Sequence, residues 1–337
     1  MGAILRPVDF ELSDDQRALQ AAARELLDDM ARPRDGFGTE LWKAMVAQGW
    51  LGVEVAEEAG GLGLGFVETA ALLDELGRHV APVPYLETVL AIGALASAGE
   101  DAWVARLLEG EALACVAWRE DEPVPFAPLA SLAIVVAGDN LMAFELDAAS
   151  RPPVDPAMDV TRPLGRLRKA PAAGTRLGGR DAVDALIDRG AAAYAAEMLG
   201  AASRVLDMSV AYAKERHQFG KPIGSFQAIK HRCADMLVDV EGMRSAAYYA
   251  AWCIGAGHAD ASIAASTAKV WCSDAAKRVM ASGLQVHGGI GFTWEHDLQL
   301  YLKRSQLDQL RFGDASFHRD RLAALVRSRV EAGQSVV

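Results

Sequence analysis

Little in these 337 residues invites chemistry through cysteine, a membrane or a polyanion. The four cysteines, Cys115, Cys233, Cys253 and Cys272, form no CxxC pair and sit inside apolar patterns. That spacing argues against a metal site and for buried free thiols in a reducing cytosol. No apolar run approaches the roughly 20 residues of a membrane span. The apolar part of MGAILRPVDFELS is too short for a secretory signal, and Arg6 stands where a myristoylation site needs Ser or Thr. Basic residues are outnumbered, 34 against 45 acidic, and the net charge of -11 argues against nucleic acid as a partner.

What is present is a helical texture with a short interruption. The hydrophobic fraction of 51% is ordinary, raised by alanine. The length suffices for two or three domains. Helical patterns cover Phe10 to Met30, with Ser13 as N-cap and Asp14 and Asp15 in the first turn, then Thr39 to Gln48. A glycine-punctuated loop around Val53 to Val55 follows, then helices at Phe66 to Gly77, Tyr85 to Ala98 and Asp101 to Glu109. From Glu111 the runs shorten: 112–118, 132–138 and 141–146 read as strands, the last two joined by a turn at Gly138-Asp139-Asn140. Pro152, Pro153, Pro156, Pro163 and Pro171 make the remainder loop-rich. The helical period returns at Asp181, in pieces of about 181–216, 224–256, 260–282 and 294–333, the last broken near Gly313. The expectation is a mainly α fold with a reduced β domain: an N-terminal α-helical domain (1–110), a shortened β domain (111–179) and a C-terminal antiparallel helical bundle (180–337). Small residues at Ala191 to Ala196 and Ala261 to Ala268 permit close helix approach, in the bundle core or at a subunit interface.

Between the first two bundle helices lies YAKERHQFGKPIGSFQAIKH, Tyr212 to His231, where Gly220, Pro222 and Gly224 break the helix into a tight corner. The corner carries Lys214, Arg216, His217, Gln218, Lys221 and Gln227. Donors held on a rigid turn suit an anionic ligand such as a cofactor pyrophosphate; a basic helix end left to solvent accounts for them equally well.

This corner resembles the RxxFGxxI…FQ signature of the acyl-CoA dehydrogenases, flavoproteins that desaturate acyl-CoA thioesters. QVHGGIGFTWEHDLQLYLKR, Gln285 to Arg304, is similar to that family's QxxGGxG segment, and FELSDDQ with GWLGVEVAEEAGGLGLG is similar to its N-terminal helical domain. Carried over residue by residue, the resemblance implies FAD, with Arg216, Gln218, Phe219, Gln227, Gln285, Gly288 and Gly289 against its adenosine-diphosphate half and the ring in a neighbouring subunit. A helix-ending turn is the other account of Gly288 and Gly289.

The departures concern the ring and the base. Family members are usually longer, and where their Thr/Ser-rich flavin-ring motif should fall the chain reads WREDEPVPFAPLAS, 118–131. The reaction needs a carboxylate within about 3 Å of the α-proton in a mostly dry pocket. The family places that glutamate at one of two sites. Counted onto this chain, one is Phe312 and the other Gly190, beside Arg189. Asp314 is the carboxylate near the first, shorter and shifted; Glu197, two turns past the second, reads as structural. His296 beside Glu295 reads as a surface or interface pair. The resemblance therefore points to the short, catalytically deficient subunit of actinobacterial heterotetrameric (α2β2) dehydrogenases of steroid side-chain CoA thioesters, paired with a longer subunit that supplies the base. Electron-transfer flavoprotein is a further partner implied by the family. A self-sufficient homo-oligomer using Asp314, and a flavin-less scaffold or binding module, are the competing readings.

Overall fold

The computed structural model of the protein describes residues 11–120, 122–167 and 174–334; expectations falling on Phe10, on Pro171 and on the extreme termini lie outside them. Five helices come first: α1 (Asp14–Met30), α2 (Thr39–Ala47), α3 (Phe66–Arg78), α4 (Tyr85–Ala98) and α5 (Asp101–Leu108). The Ser13 Oγ accepts from the Gln16 amide at 3.2 Å while the Ser13 amide donates to Gln16 Oε1 at 2.9 Å, the capping box that the Ser-x-x-Gln spacing allows. The glycine-punctuated loop between α2 and α3 holds two single 3-10 turns, Trp50–Gly52 and Glu57–Ala59.

The β region is small. Strands β1 (Ala114–Ala117), β2 (Val124–Pro125), β3 (Leu132–Ala137), β4 (Asn140–Glu145), β5 (Leu164–Gly165) and β6 (Thr175–Gly178) form a four-stranded sheet in the order β1-β3-β4-β6, beside a two-stranded pair of β2 and β5. β3 and β4 make the expected hairpin, turning at Gly138 (φ 62°), and β1 runs parallel to β3.

α6 (Arg180–Glu215), the hairpin strands β7 (His217–Gln218) and β8 (Lys221–Pro222), α7 (Gln227–Gly255), α8 (Ala261–His287), α9 (Leu298–Leu310) and α10 (Ala315–Glu331) complete the chain. Two boundaries need correcting. α7 begins at Gln227 rather than 224, because the segment Ile223–Ser225 is a 3-10 turn. α8 runs on through residue 287, since nothing in GLQVH breaks the helix before Gly288.

The small residues find their use inside the chain. Ala191 to Ala196 are all buried, and α3 crosses α6 with backbones touching. A Cβ on Gly200 would stand 1.7 Å from the Asp74 carbonyl oxygen, and one on Gly77 1.9 Å from that of Glu197. One hydrophobic core runs from Leu27 and Trp42 through Val116 and Ile134 to Met280 and Phe312, joining all three regions. Cys115, Cys253 and Cys272 are buried free thiols as expected, but Cys233 is only half-buried, at the edge of α7.

Candidate functional site

α6, α7 and α8 run up, down and up, so α6 and α8 end at the same pole of the bundle, where the two sequence motifs meet. Tyr212 stacks on His287 with ring centroids 4.7 Å apart, and His287 meets His296 edge-on at 4.7 Å. His287 Nδ1 faces the Gly283 carbonyl at 2.8 Å, and burial lowers its pKa from the usual histidine value. His296 Nδ1 accepts from the Leu298 amide at 3.1 Å, at the start of α9.

At this pole the chain turns through β7 and β8 in a two-residue loop, with Phe219 (φ 53°) and Gly220 (φ 79°) both left-handed. A non-glycine residue held there stores strain of the kind that gathers at ligand sites. Phe219 is 92% exposed and meets Phe226 edge-on at 6.0 Å, while the Lys221 ammonium sits 4.5 Å over the Phe226 ring. Gln218 donates to the neighbouring His217 carbonyl at 2.7 Å. Arg216 closes α6 through its backbone amide and accepts from Ile223 N at 2.7 Å. The exposed side chains of Arg216, Gln227 and Gln285 have no hydrogen-bond partner among the described residues. Gly288 (φ 65°, ψ -145°) is required by the backbone where α8 stops. Gly289 is not: its φ is ordinary and a Cβ there would meet nothing within 4 Å, so its bare face is turned to open space. Free guanidinium and amide donors beside a bare backbone fit the diphosphate of a dinucleotide.

The second locus is its opposite. The two positions where a base is expected are adjacent in space: a Cβ on Gly190 would lie 2.3 Å from the Phe312 ring. Phe312 is fully buried, stacked on Trp118 at 5.9 Å and 16°, with the Tyr194 ring also at 5.9 Å. Phe317 meets Trp118 edge-on, and the Arg119 guanidinium covers both rings. Phe312 holds φ 55°, and its carbonyl faces His318 Nε2 at 2.8 Å; burial pushes the His318 pKa down to about 4, so the neutral ring donates there. Asp314 is exposed and caps α10, its Oδ1 accepting from the Phe317 amide at 2.8 Å.

Behind the aromatics lies a buried polar network. Glu87 accepts from the Tyr194 hydroxyl and the Val116 amide and faces Arg311, whose Nη2 donates to the Val116 carbonyl at 2.7 Å. Glu197 accepts from Arg162 and from Arg304 at 3.1 Å; Arg162 also reaches Asp308 at 2.9 Å, and Arg304 reaches Asp159 at 2.9 Å. Lys269 Nζ donates to the carbonyls of Asp308 (2.7 Å) and Gln309 (3.0 Å), and burial pushes its ammonium down to about 7 against the pull of Asp308. Glu197 is thus a structural carboxylate, as its register suggests. Trp118, Glu87, Tyr194 and Arg311 escape sequence reasoning; the available signal is a set of charges set into otherwise apolar helices.

The geometry so far describes a mainly helical protein with one open, donor-lined pole and one sealed aromatic cluster. Sequence models of the acyl-CoA dehydrogenase N-terminal domain and C-terminal domain match residues 13–112 and 178–326, respectively. The chain belongs to the acyl-CoA dehydrogenase family, whose members are FAD-dependent oxidoreductases. It is 36% identical to the acyl-CoA dehydrogenase IpdE2 of Mycolicibacterium smegmatis over 304 residues, covering 87% of this chain and 93% of that one. Among solved structures it is similar to a variant of the Tcur3481-Tcur3483 steroid acyl-CoA dehydrogenase (29% identity, TM-score 0.88, covering 94% of this chain and 99% of that one). It is also similar to the ChsE4-ChsE5 complex of Mycobacterium tuberculosis (27% identity, TM-score 0.86, 95% and 99% covered).

Proposed function

We propose that this chain is the non-catalytic subunit of a heteromeric FAD-dependent acyl-CoA dehydrogenase, contributing the adenosine-diphosphate half of the flavin site to a longer companion chain. One observation carries the reading: Gly190 and Phe312, the two positions open to a base, press against each other in a sealed aromatic cluster. Neither carboxylate considered for the role takes their place: Asp314 caps a helix and Glu197 pairs with two arginines.

On this reading Arg216, Gln218, Phe219, Gln227 and Gln285 would hold the adenosine-diphosphate half of the flavin. Gly288 and Gly289 let the backbone come close. When bound, the flavin supplies the hydride acceptor for the β-hydrogen; the companion chain supplies the carboxylate for the α-proton. This chain's part is to hold the cofactor tail in place. The substrate class is an acyl-CoA, and a steroid side-chain CoA fits the heteromeric steroid enzymes that the chain is similar to. An α2β2 assembly, a cytoplasmic location, electron-transfer flavoprotein as oxidant and the division at 1–110, 111–179 and 180–337 belong to the same proposal. Among the described residues no helix is long and apolar enough to cross a membrane.

Co-expression tests it. With a longer homologue carrying the glutamate, the complex should be yellow and reduced by acyl-CoA, while Asp314→Asn leaves activity in place. Loss of activity with Asp314→Asn at unchanged flavin absorbance would favour the homo-oligomer in which Asp314 is the base. Flavin content indifferent to Arg216→Ala would favour a scaffold.

A further inference from the structure

Arg216 and Gln285 stand at the ends of two different helices, and a stack of three rings joins those ends. Close approach of the helices builds it. Gly283 of α8 packs directly on α6, where a Cβ would stand 2.5 Å from Val205 Cγ1. The two helices run the same way. Further along both, the Tyr212 and His287 rings come face to face, with centroids 4.7 Å apart and planes 24° from parallel.

Each ring is tied to the backbone of one motif. The Tyr212 carbonyl accepts from the Arg216 amide at 2.8 Å, and the Arg216 carbonyl accepts from the Ile223 amide at 2.7 Å, so the arginine's backbone is held on both sides. His287 is the last residue of α8, two after Gln285 and directly before Gly288 and Gly289. Its Nδ1 contact with the Gly283 carbonyl at 2.8 Å fixes the direction of the ring. His296 meets His287 edge-on at 4.7 Å and is itself held by the Leu298 amide at 3.1 Å. The loop that opens with Gly288 and Gly289 is thereby pinned at both of its ends, residues 287 and 296. Ring pairs at such distances attract beyond the area that they bury. A diphosphate gripped from two helices needs their donors at one spacing, and a spacing set before binding spares the cost of ordering at binding.

We propose that the Tyr212–His287–His296 stack is the clasp of the nucleotide half-site, with His287 as a positioning residue that sets the spacing between Arg216 and the Gly288-Gly289 turn. It acts through those residues and not by contact with reacting atoms. The inference rests on the proposed function and deepens it.

The test strips flavin from the complex with the longer homologue and titrates FAD back, following flavin fluorescence. His287→Ala should weaken FAD about tenfold, whereas His287→Phe, which keeps a ring against Tyr212, should bind within about threefold of the unaltered complex. Combined with Arg216→Ala, His287→Ala should bring the total loss to about tenfold and not the roughly hundredfold of two independent losses, because an arginine out of place has little left to contribute. A histidine with a merely structural role would weaken FAD by the same factor with or without Arg216. His296→Ala opens only the base of the loop and should weaken FAD about threefold, even if His287→Ala fails to fold. Arg216→Ala without effect on FAD would sink the half-site, and the clasp with it. With the Arg216 effect present, FAD binding unchanged in both His287→Ala and His296→Ala, an equal loss in His287→Phe and His287→Ala, or a multiplied loss in the double variant would each sink the clasp alone.

Discussion

The α6–α8 pole and the Phe312 cluster are built from the same helices on opposite principles. At the pole, Arg216, Gln227 and Gln285 stand exposed with no hydrogen-bond partner among the described residues, near a strained turn, and Gly289 is bare. At the cluster, Trp118, Tyr194 and the Gly190 backbone pack on Phe312, and the charges behind them are paired inside the protein. A surface left wanting partners invites a ligand, whereas an interior with its partners supplied keeps one shape. On the proposed function, the difference is that between a surface lent to a ligand and a cavity packed as core.

The deepest cut into that comparison is Glu197→Ala. It leaves Arg162 and Arg304 facing a missing carboxylate in the buried network and should cost about 3–5 kcal/mol in urea unfolding. Arg216→Ala at the exposed pole should do the reverse. It should lower the flavin affinity of the complex roughly tenfold or more, the loss of one charge-assisted contact, while the melting temperature hardly moves. A stability loss at Arg216 matching that at Glu197 would erase the distinction between the two regions.

The pH dependence sharpens it. Lys269 has a folded pKa of about 7 against 10.5 unfolded, so between those values the unfolded chain binds more protons. Stability contributed through Lys269 therefore rises with pH across that window, by up to about 1.4 kcal/mol per pH unit. Lys269→Met should flatten the wild-type slope between pH 7 and 9, and an unchanged slope would mean that the ammonium is not held dry. The smallest effect is expected at Asp314: Asp314→Ala should cost ~1 kcal/mol as a lost helix cap, without altering flavin content or turnover of the complex.

Much of this fold is legible residue by residue. Ser13 announces a capped helix, Gly138-Asp139-Asn140 a hairpin, and Gly220 and Pro222 a corner, because each signal acts within a few residues. The parallel pairing of β1 with β3 is not legible, since strand order is set by tertiary packing. β6 is too short and polar, TRLG, to register as a strand. At the site, the sequence offers Phe312 and Gly190 as two separate vacancies for a base; only the fold makes them one contact. Glu87, Tyr194 and Trp118 stay hidden for the same reason, their partners being far away along the chain and close only in space.

The most direct measurement is the flavin-to-polypeptide ratio of this chain purified alone and with a longer homologue. The account predicts flavin-free or insoluble protein alone and a yellow complex that acyl-CoA bleaches. One FAD per protomer in the chain alone, reduced by an acyl-CoA, would contradict it.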